Sequence, residues 1–110
     1  MEQLAIVCPS TGRLTGECLP RAEAIARRAW CRSTNIFLLN AKGEVLVHQR
    51  SLSKERLPGV WSTHLGGHVG VGEDYESNAY KEVEEESGLA MSQGALIPWR
   101  TTRIERPCLW

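Results

Sequence analysis

Residues 67–89 read GHVGVGEDYESNAYKEVEEESGL, a glycine-rich approach followed by an acidic stretch that closes on glycine. Asp74 is a good N-cap and Gly88 a good C-terminal stop, so a helix is expected from Asp74 to Ser87. On such a helix Glu82, Glu85 and Glu86 fall at i, i+3 and i+4, which at ~100° per residue puts them on one face. Like charges at these spacings cost an isolated helix a few tenths of a kcal/mol each, and glutamates near a helix C-terminus oppose the macrodipole. Selection for helix stability alone would avoid the arrangement. A Mg²⁺ or Mn²⁺ ion removes the conflict, because hard cations take carboxylate oxygens and keep positions open for water and phosphate. Gly66 and Gly67 let the backbone come close to a ligand, and a carbonyl there is a candidate additional donor. Taken alone, the glutamates also fit a solvated charged face. The glycines do not form a dinucleotide fingerprint, and no Gly-Lys-Ser/Thr follows Gly72 to make a P-loop.

Upstream, Leu4–Val7 and Leu14–Cys18 read as short strands separated by the turn-forming Pro9-Ser10-Thr11-Gly12. Between Pro20 and Trp30 the apolar positions Ala22, Ile25, Ala26, Ala29 and Trp30 recur at helical spacing, which predicts an amphipathic helix. Asn35–Leu39 and Glu44–Gln49 flank Asn40-Ala41-Lys42-Gly43, a hairpin signal. Residues 51–60 read as a loop and Val60–Leu65 as a strand running into the glycines. Ala95–Ile104 has strand character interrupted at Pro98. Mixed elements with short connections predict an α+β fold, an α/β/α sandwich around a mixed sheet.

The chain's 110 residues allow a single domain, residues 1–110, and its 13 basic and 13 acidic side chains cancel. The neutral sum hides an asymmetry: residues 1–72 carry nine basic and five acidic side chains, residues 73–86 seven acidic ones and only Lys81. An acidic block in a basic body suits a cation bridging to an anionic ligand, not direct nucleic-acid binding. No apolar run reaches the ~18 residues of a membrane span, so a cytoplasmic protein is expected. The cysteines, Cys8, Cys18, Cys31 and Cys108, form no C-x-x-C pair and are expected as free, mostly buried thiols.

Gly67, Glu73 and Lys81-Glu82-Val83-Glu84-Glu85-Glu86-Ser87-Gly88-Leu89 closely resemble the Nudix box, G-x5-E-x7-R-E-U-x-E-E-x-G-U with U aliphatic. Eight of its nine specified positions match, and Lys81 stands where Arg is usual. Asn40-Ala41-Lys42-Gly43, Gln49-Arg50, Leu52-Ser53-Lys54, Pro58-Gly59-Val60-Trp61 and Gly66-Gly67-His68 are similar to the Nudix subgroup related to isopentenyl diphosphate isomerase. The resemblance implies metal ligation by Glu82, Glu85 and Glu86, with the Gly66 carbonyl as an added ligand and Glu82 as the group that orients or deprotonates water. It implies a structural pair between Glu73 and Lys81, without the bidentate fork that Arg supplies. The implied reaction is Mg²⁺- or Mn²⁺-dependent hydrolysis of a diphosphate bond in a nucleoside diphosphate joined to another group.

His68, Trp61 and Arg50 are weaker candidates for substrate contacts. His68 matches a metal-binding His of the isomerases, Trp61 offers a ring for stacking or packing, and Arg50 offers a charge for phosphate. The isomerases also need a Cys at the position of Gly66 and a metal-binding His at that of Cys31, and this sequence has neither. Hydrolysis therefore leads, with a Nudix module that binds a nucleotide or protein without turnover as the alternative. Family domains usually continue for several strands and a helix after the box, whereas 21 residues follow Leu89 here. The fold is accordingly expected to be C-terminally shortened, with Glu105 as the remaining downstream acid and a homodimer covering the apolar tail.

Overall fold

In the first residues of the chain, Leu4, Ala5, Ile6 and Val7 are all buried, so this strand is enclosed on both faces. It belongs to a computed structural model of the chain, which describes residues 2–54 and 57–104. The elements run β1 (Gln3–Val7), β2 (Leu14–Pro20), α1 (Arg21–Ala26), β3 (Ser33–Ile36), β4 (His48–Gln49), β5 (Trp61–Ser62), β6 (Leu65–His68) and α2 (Tyr75–Ser87). Glu105 and Cys108 lie outside the described residues.

Three antiparallel ladders form, β1 with β2, β3 with β6 and β4 with β5. Isolated bridges Leu4–Gly70 and Ile6–Cys31 knit β1 to the residues flanking β3 and β6. The fold is mixed α+β, as expected, and among the described residues its strands pair in three small ladders. Its apolar interior has two parts. Leu4, Ile6, Leu19 and Ala24 pack together beneath α1, and Ile36, Leu65 and Val83 join α2 to the β3–β6 ladder. Val83 is fully buried and anchors the acidic helix, with Ala79 of the same helix half-buried beside the cluster.

Several stretches differ from the sequence expectation, among them Val60–Leu65, which is divided between β5 and β6 in different ladders. The helix expected over Pro20–Trp30 stops at Ala26. Arg28 turns into the left-handed region at φ 54°, its N–H bonds the Ile25 carbonyl at 3.1 Å, and the Ala29 N–H bonds the Ala24 carbonyl at 2.9 Å. This reversal closes the helix and returns the chain to β1, where the Trp30 carbonyl accepts the Val7 N–H at 2.9 Å. The hairpin around Asn40–Gly43 forms, but its regular pairing is a single bridge from Leu39 to Val45 beside the Leu46 N–H bond to the Leu38 carbonyl at 2.8 Å. Gly66 and Gly67 are strand residues in β6 instead of an approach loop. Within the described residues, Ala95–Ile104 forms no strand. The thiols are also less buried than expected, with Cys18 exposed and Cys8 and Cys31 half-buried.

Gly66 is the tightest point of the β3–β6 ladder. A Cβ built there would lie 1.9 Å from the Thr34 carbonyl oxygen, and its φ of 151° disfavours any L side chain. Gly43, at φ 80°, has nothing within 4 Å of the same position. Gly66→Ala should therefore cost about 4 kcal/mol or more in urea unfolding, because clash and strain add. Gly43→Ala should cost only ~1–2 kcal/mol, the backbone penalty alone. Equal losses at the two positions would contradict the packing described.

Candidate functional site

The acidic helix is placed by both of its ends. At the start, the Asp74 carboxylate accepts the Ser77 N–H at 2.7 Å and the Ser77 hydroxyl accepts the Asp74 N–H at 3.1 Å, a reciprocal capping box. At the end, Gly88 adopts φ 78° and its N–H bonds the Glu84 carbonyl at 2.9 Å. The approach loop is tied down by Glu73. One of its oxygens accepts the Gly70 N–H at 2.7 Å and the other accepts Lys81 Nζ at 3.1 Å. Burial opposes ionisation of Glu73, but the Gly70 amide and the Lys81 ammonium outweigh it and hold the carboxyl below its usual range. The Glu73 hydrogen bond in turn raises Lys81.

These anchors bring Glu82 and Glu86, one helical turn apart, against Gly66 and Gly67. A Cβ on Gly67 would lie 2.9 Å from Glu82 Oε1, so the bare glycine makes the room that this carboxylate occupies. Glu86 Oε2 accepts the Gly66 N–H at 3.4 Å. Burial, then the charges of Glu86 and Glu85, push the Glu82 carboxyl above its ordinary range. Burial also raises Glu86, partly offset by the Gly66 N–H, His48 and Arg50. Glu85 is exposed on the same helix.

A pocket opens beside Glu86. Its floor is Thr34 and the Gly66–His68 backbone, and its far wall is His48, Arg50, Ser62 and His64. His48 Nε2 donates to the His64 carbonyl at 2.7 Å, which fixes its tautomer because a carbonyl only accepts. Ser62 Oγ lies 3.2 Å from His64 Nδ1. The half-buried His68 imidazole is lowered by burial and by the charge of Arg21. One side of the pocket is thus carboxylate, and the other carries imidazole rings, a hydroxyl and the Arg50 guanidinium.

The structure brings Glu82, Glu86, Gly66, His68 and Arg50 together and leaves Trp61 63% exposed, outside the pocket lining. Among the described residues, no three His, Cys, Asp or Glu side chains stand gathered as a ready-made cation cage. Half-buried Glu82 and, one turn on, the more exposed Glu86, set against Gly67 and Gly66, nevertheless fit Mg²⁺ or Mn²⁺. Mg²⁺ characteristically uses one or two carboxylates and fills the rest of its shell with water and phosphate. Sequence reasoning passed over His48, Ser62, Thr34 and Asn78. Asn78 left a usable signal: an amide four residues before Glu82, in the stripe of α2 that packs inward, calls for a buried partner.

The sequence model of the NUDIX domain family matches residues 29–108. The uncharacterized Nudix hydrolase PA4841 of Pseudomonas aeruginosa is 46% identical over 71 residues, spanning 64% of this chain and 42% of that protein. The uncharacterized Nudix hydrolase SCO1686 of Streptomyces coelicolor is 31% identical over 89 residues, 81% of this chain and 49% of that protein. Isopentenyl-diphosphate Delta-isomerase of Escherichia coli is 39% identical over 56 residues, 51% of this chain and 31% of the enzyme. Among solved structures, DR0079 from Deinococcus radiodurans superposes with a TM-score of 0.69 at 28% identity, covering 81% of this chain and 54% of that one. The chain spans half or less of the length of these curated relatives. Among the described residues, no helix is long and apolar enough to cross a membrane.

The raised carboxyls have a stability signature. A carboxyl raised on folding stabilises the native state below its unfolded pKa, and that contribution is lost as pH rises through the folded value. For Glu82 the window begins at its ordinary value of 4.5 and extends upward. Glu82→Gln should therefore raise the urea midpoint at pH 7, and the gain should shrink toward pH 4, where the wild-type carboxyl is protonated. A variant that is less stable at pH 7 would contradict this electrostatic account.

Proposed function

This chain belongs to the Nudix domain family, and on that premise we propose that it is a divalent-cation-dependent hydrolase of diphosphate bonds. The observation carrying this reading is the pair Glu82 and Glu86, set against Gly67 and Gly66, with Glu86 lining a pocket that His48 and Arg50 also line. Glu82, Glu85 and Glu86 would hold Mg²⁺ or Mn²⁺, with the Gly66 carbonyl as a further donor. When bound, the ion polarises the phosphorus–oxygen bonds and lowers the pKa of water.

The chain's own residues do the rest. Glu82 has its affinity for protons raised by burial and by its acidic neighbours, which suits it to take a proton from the attacking water. Water adds to one phosphorus, the bridging phosphorus–oxygen bond breaks, and the charge arriving on the departing phosphate is met by Arg50 and His48. Glu73 and Lys81 hold the loop against the helix. The proposed substrate is a nucleoside diphosphate joined to another group, with exposed Trp61, next to the pocket residue Ser62, as a ring for the base.

The test is pyrophosphate or phosphate release across a panel of nucleotide diphosphates with Mg²⁺ or Mn²⁺. Turnover should vanish on chelation. In the Glu85→Gln/Glu86→Gln variant it should fall about a hundredfold or more, the scale expected when several kcal/mol of charge stabilisation are lost. A folded wild-type chain that turns over no member of the panel would overturn the hydrolase reading and favour a module that binds without catalysis.

A further inference from the structure

Asn78 is a polar side chain with no exposure at all, four residues before Glu82 and eight before Glu86 on α2. At ~100° per residue these three positions share one face of the helix. Its carboxamide is used in two directions. Thr34 Oγ1 donates to Asn78 Oδ1 at 2.6 Å, and Asn78 Nδ2 donates to the His68 carbonyl at 3.0 Å. Thr34 lies on β3, His68 ends β6, and both line the pocket. One buried side chain therefore joins the acidic helix to both strands of the ladder that lines the pocket.

We propose that Asn78 is a positioning residue, setting the height and rotation of α2 so that Glu82 and Glu86 are seated against Gly66 and Gly67. The proposal rests on the reading of Glu82 and Glu86 as cation ligands. A residue serving stability alone is cheaper to build from carbon at this depth. Val83, one position past Glu82, already supplies a fully buried apolar anchor without fixing direction. Packing of that kind resists separation of helix and sheet but tolerates small rotations and slides. A threonine hydroxyl and a strand carbonyl meeting one planar amide do not tolerate them, because each bond has its own required angle. The consequence falls on the carboxylates one and two turns further along, where a small rotation of α2 moves Glu82 away from the space left by Gly67.

The experiment uses the full chain and two variants, Asn78→Leu, which replaces the amide with apolar volume, and Thr34→Val, which removes one bond at constant shape. Circular dichroism and thermal unfolding establish that each is folded. In the native state, the Gly66 and Gly67 amide resonances should shift in both variants, more in Asn78→Leu, while those of Leu4 and Ala5 in β1 stay in place. Mn²⁺ affinity, read by the electron paramagnetic resonance of the free ion, should fall roughly 10- to 100-fold in Asn78→Leu, the usual cost of losing an outer-shell partner. A purely structural residue would lower the melting temperature and leave both readouts unchanged in the folded protein, and that result would overturn the proposal. If Asn78→Leu does not fold, Thr34→Val decides by the same criteria. If the wild-type chain binds no Mn²⁺, the cation reading fails, and the glycine amides alone decide whether Asn78 sets the seating.

Discussion

The site depends on how closely strand β6 approaches its neighbours on both sides. On one side Gly66 lies against the Thr34 backbone, where even a methyl group would overlap the carbonyl. On the other, Gly67 lies against the Glu82 carboxylate, which would have to move to admit a side chain. Of two consecutive residues without Cβ, one thus lets strand meet strand and the other lets the helix carboxylate come up to the strand. The polar contacts between helix and strand follow from that, because Glu86 reaches the Gly66 amide and Asn78 reaches the His68 carbonyl at this spacing.

The electrostatics divide along the same line. Glu73 is paired and its carboxyl is lowered, while Glu82 and Glu86 lie within a few turns of it and are raised. The difference is one of partners, not residue type. Glu73 faces an amide and an ammonium, whereas Glu82 faces other carboxylates from within a partly desolvated position. The loop before the helix therefore carries one acid that helps hold it closed, and the helix carries two whose ionisation costs stability until a cation or a proton relieves it. The far wall of His48 and Arg50 partly offsets that cost at Glu86.

How much of this is legible in the sequence depends on how local each cause is. Asp74 and Gly88 bracket the acidic helix because capping is decided within a few residues, and the resulting face of Glu82 and Glu86 follows from helix geometry. Arg28 is not legible as a helix stop, because nothing in its side chain asks for a left-handed backbone. The pull comes from Cys31, which must bridge to Ile6. Ala95–Ile104 has strand-forming residues, but a strand also needs an edge to pair with, and composition does not report that. Gly66 and Gly67 are seen as special for the right chemical reason and given the wrong immediate partner: the close approach they permit is first to Thr34 and Glu82. His48, Ser62 and His64 come together only because β4 and β5 pair across a long connection.

Tyr80 has a consequence of a different kind. Its hydroxyl oxygen accepts the N–H of Gly94 at 2.8 Å and that of Leu96 at 3.1 Å, and Leu96 packs on the same apolar cluster as Val83. Two amides are thereby hung on a single atom of the acidic helix. A motion that carries the Tyr80 ring away therefore releases both amides to solvent deuterium at once. The segment after the helix is in this way tethered back to α2 by side chains, at Tyr80 and again where Gln93 donates to Glu76.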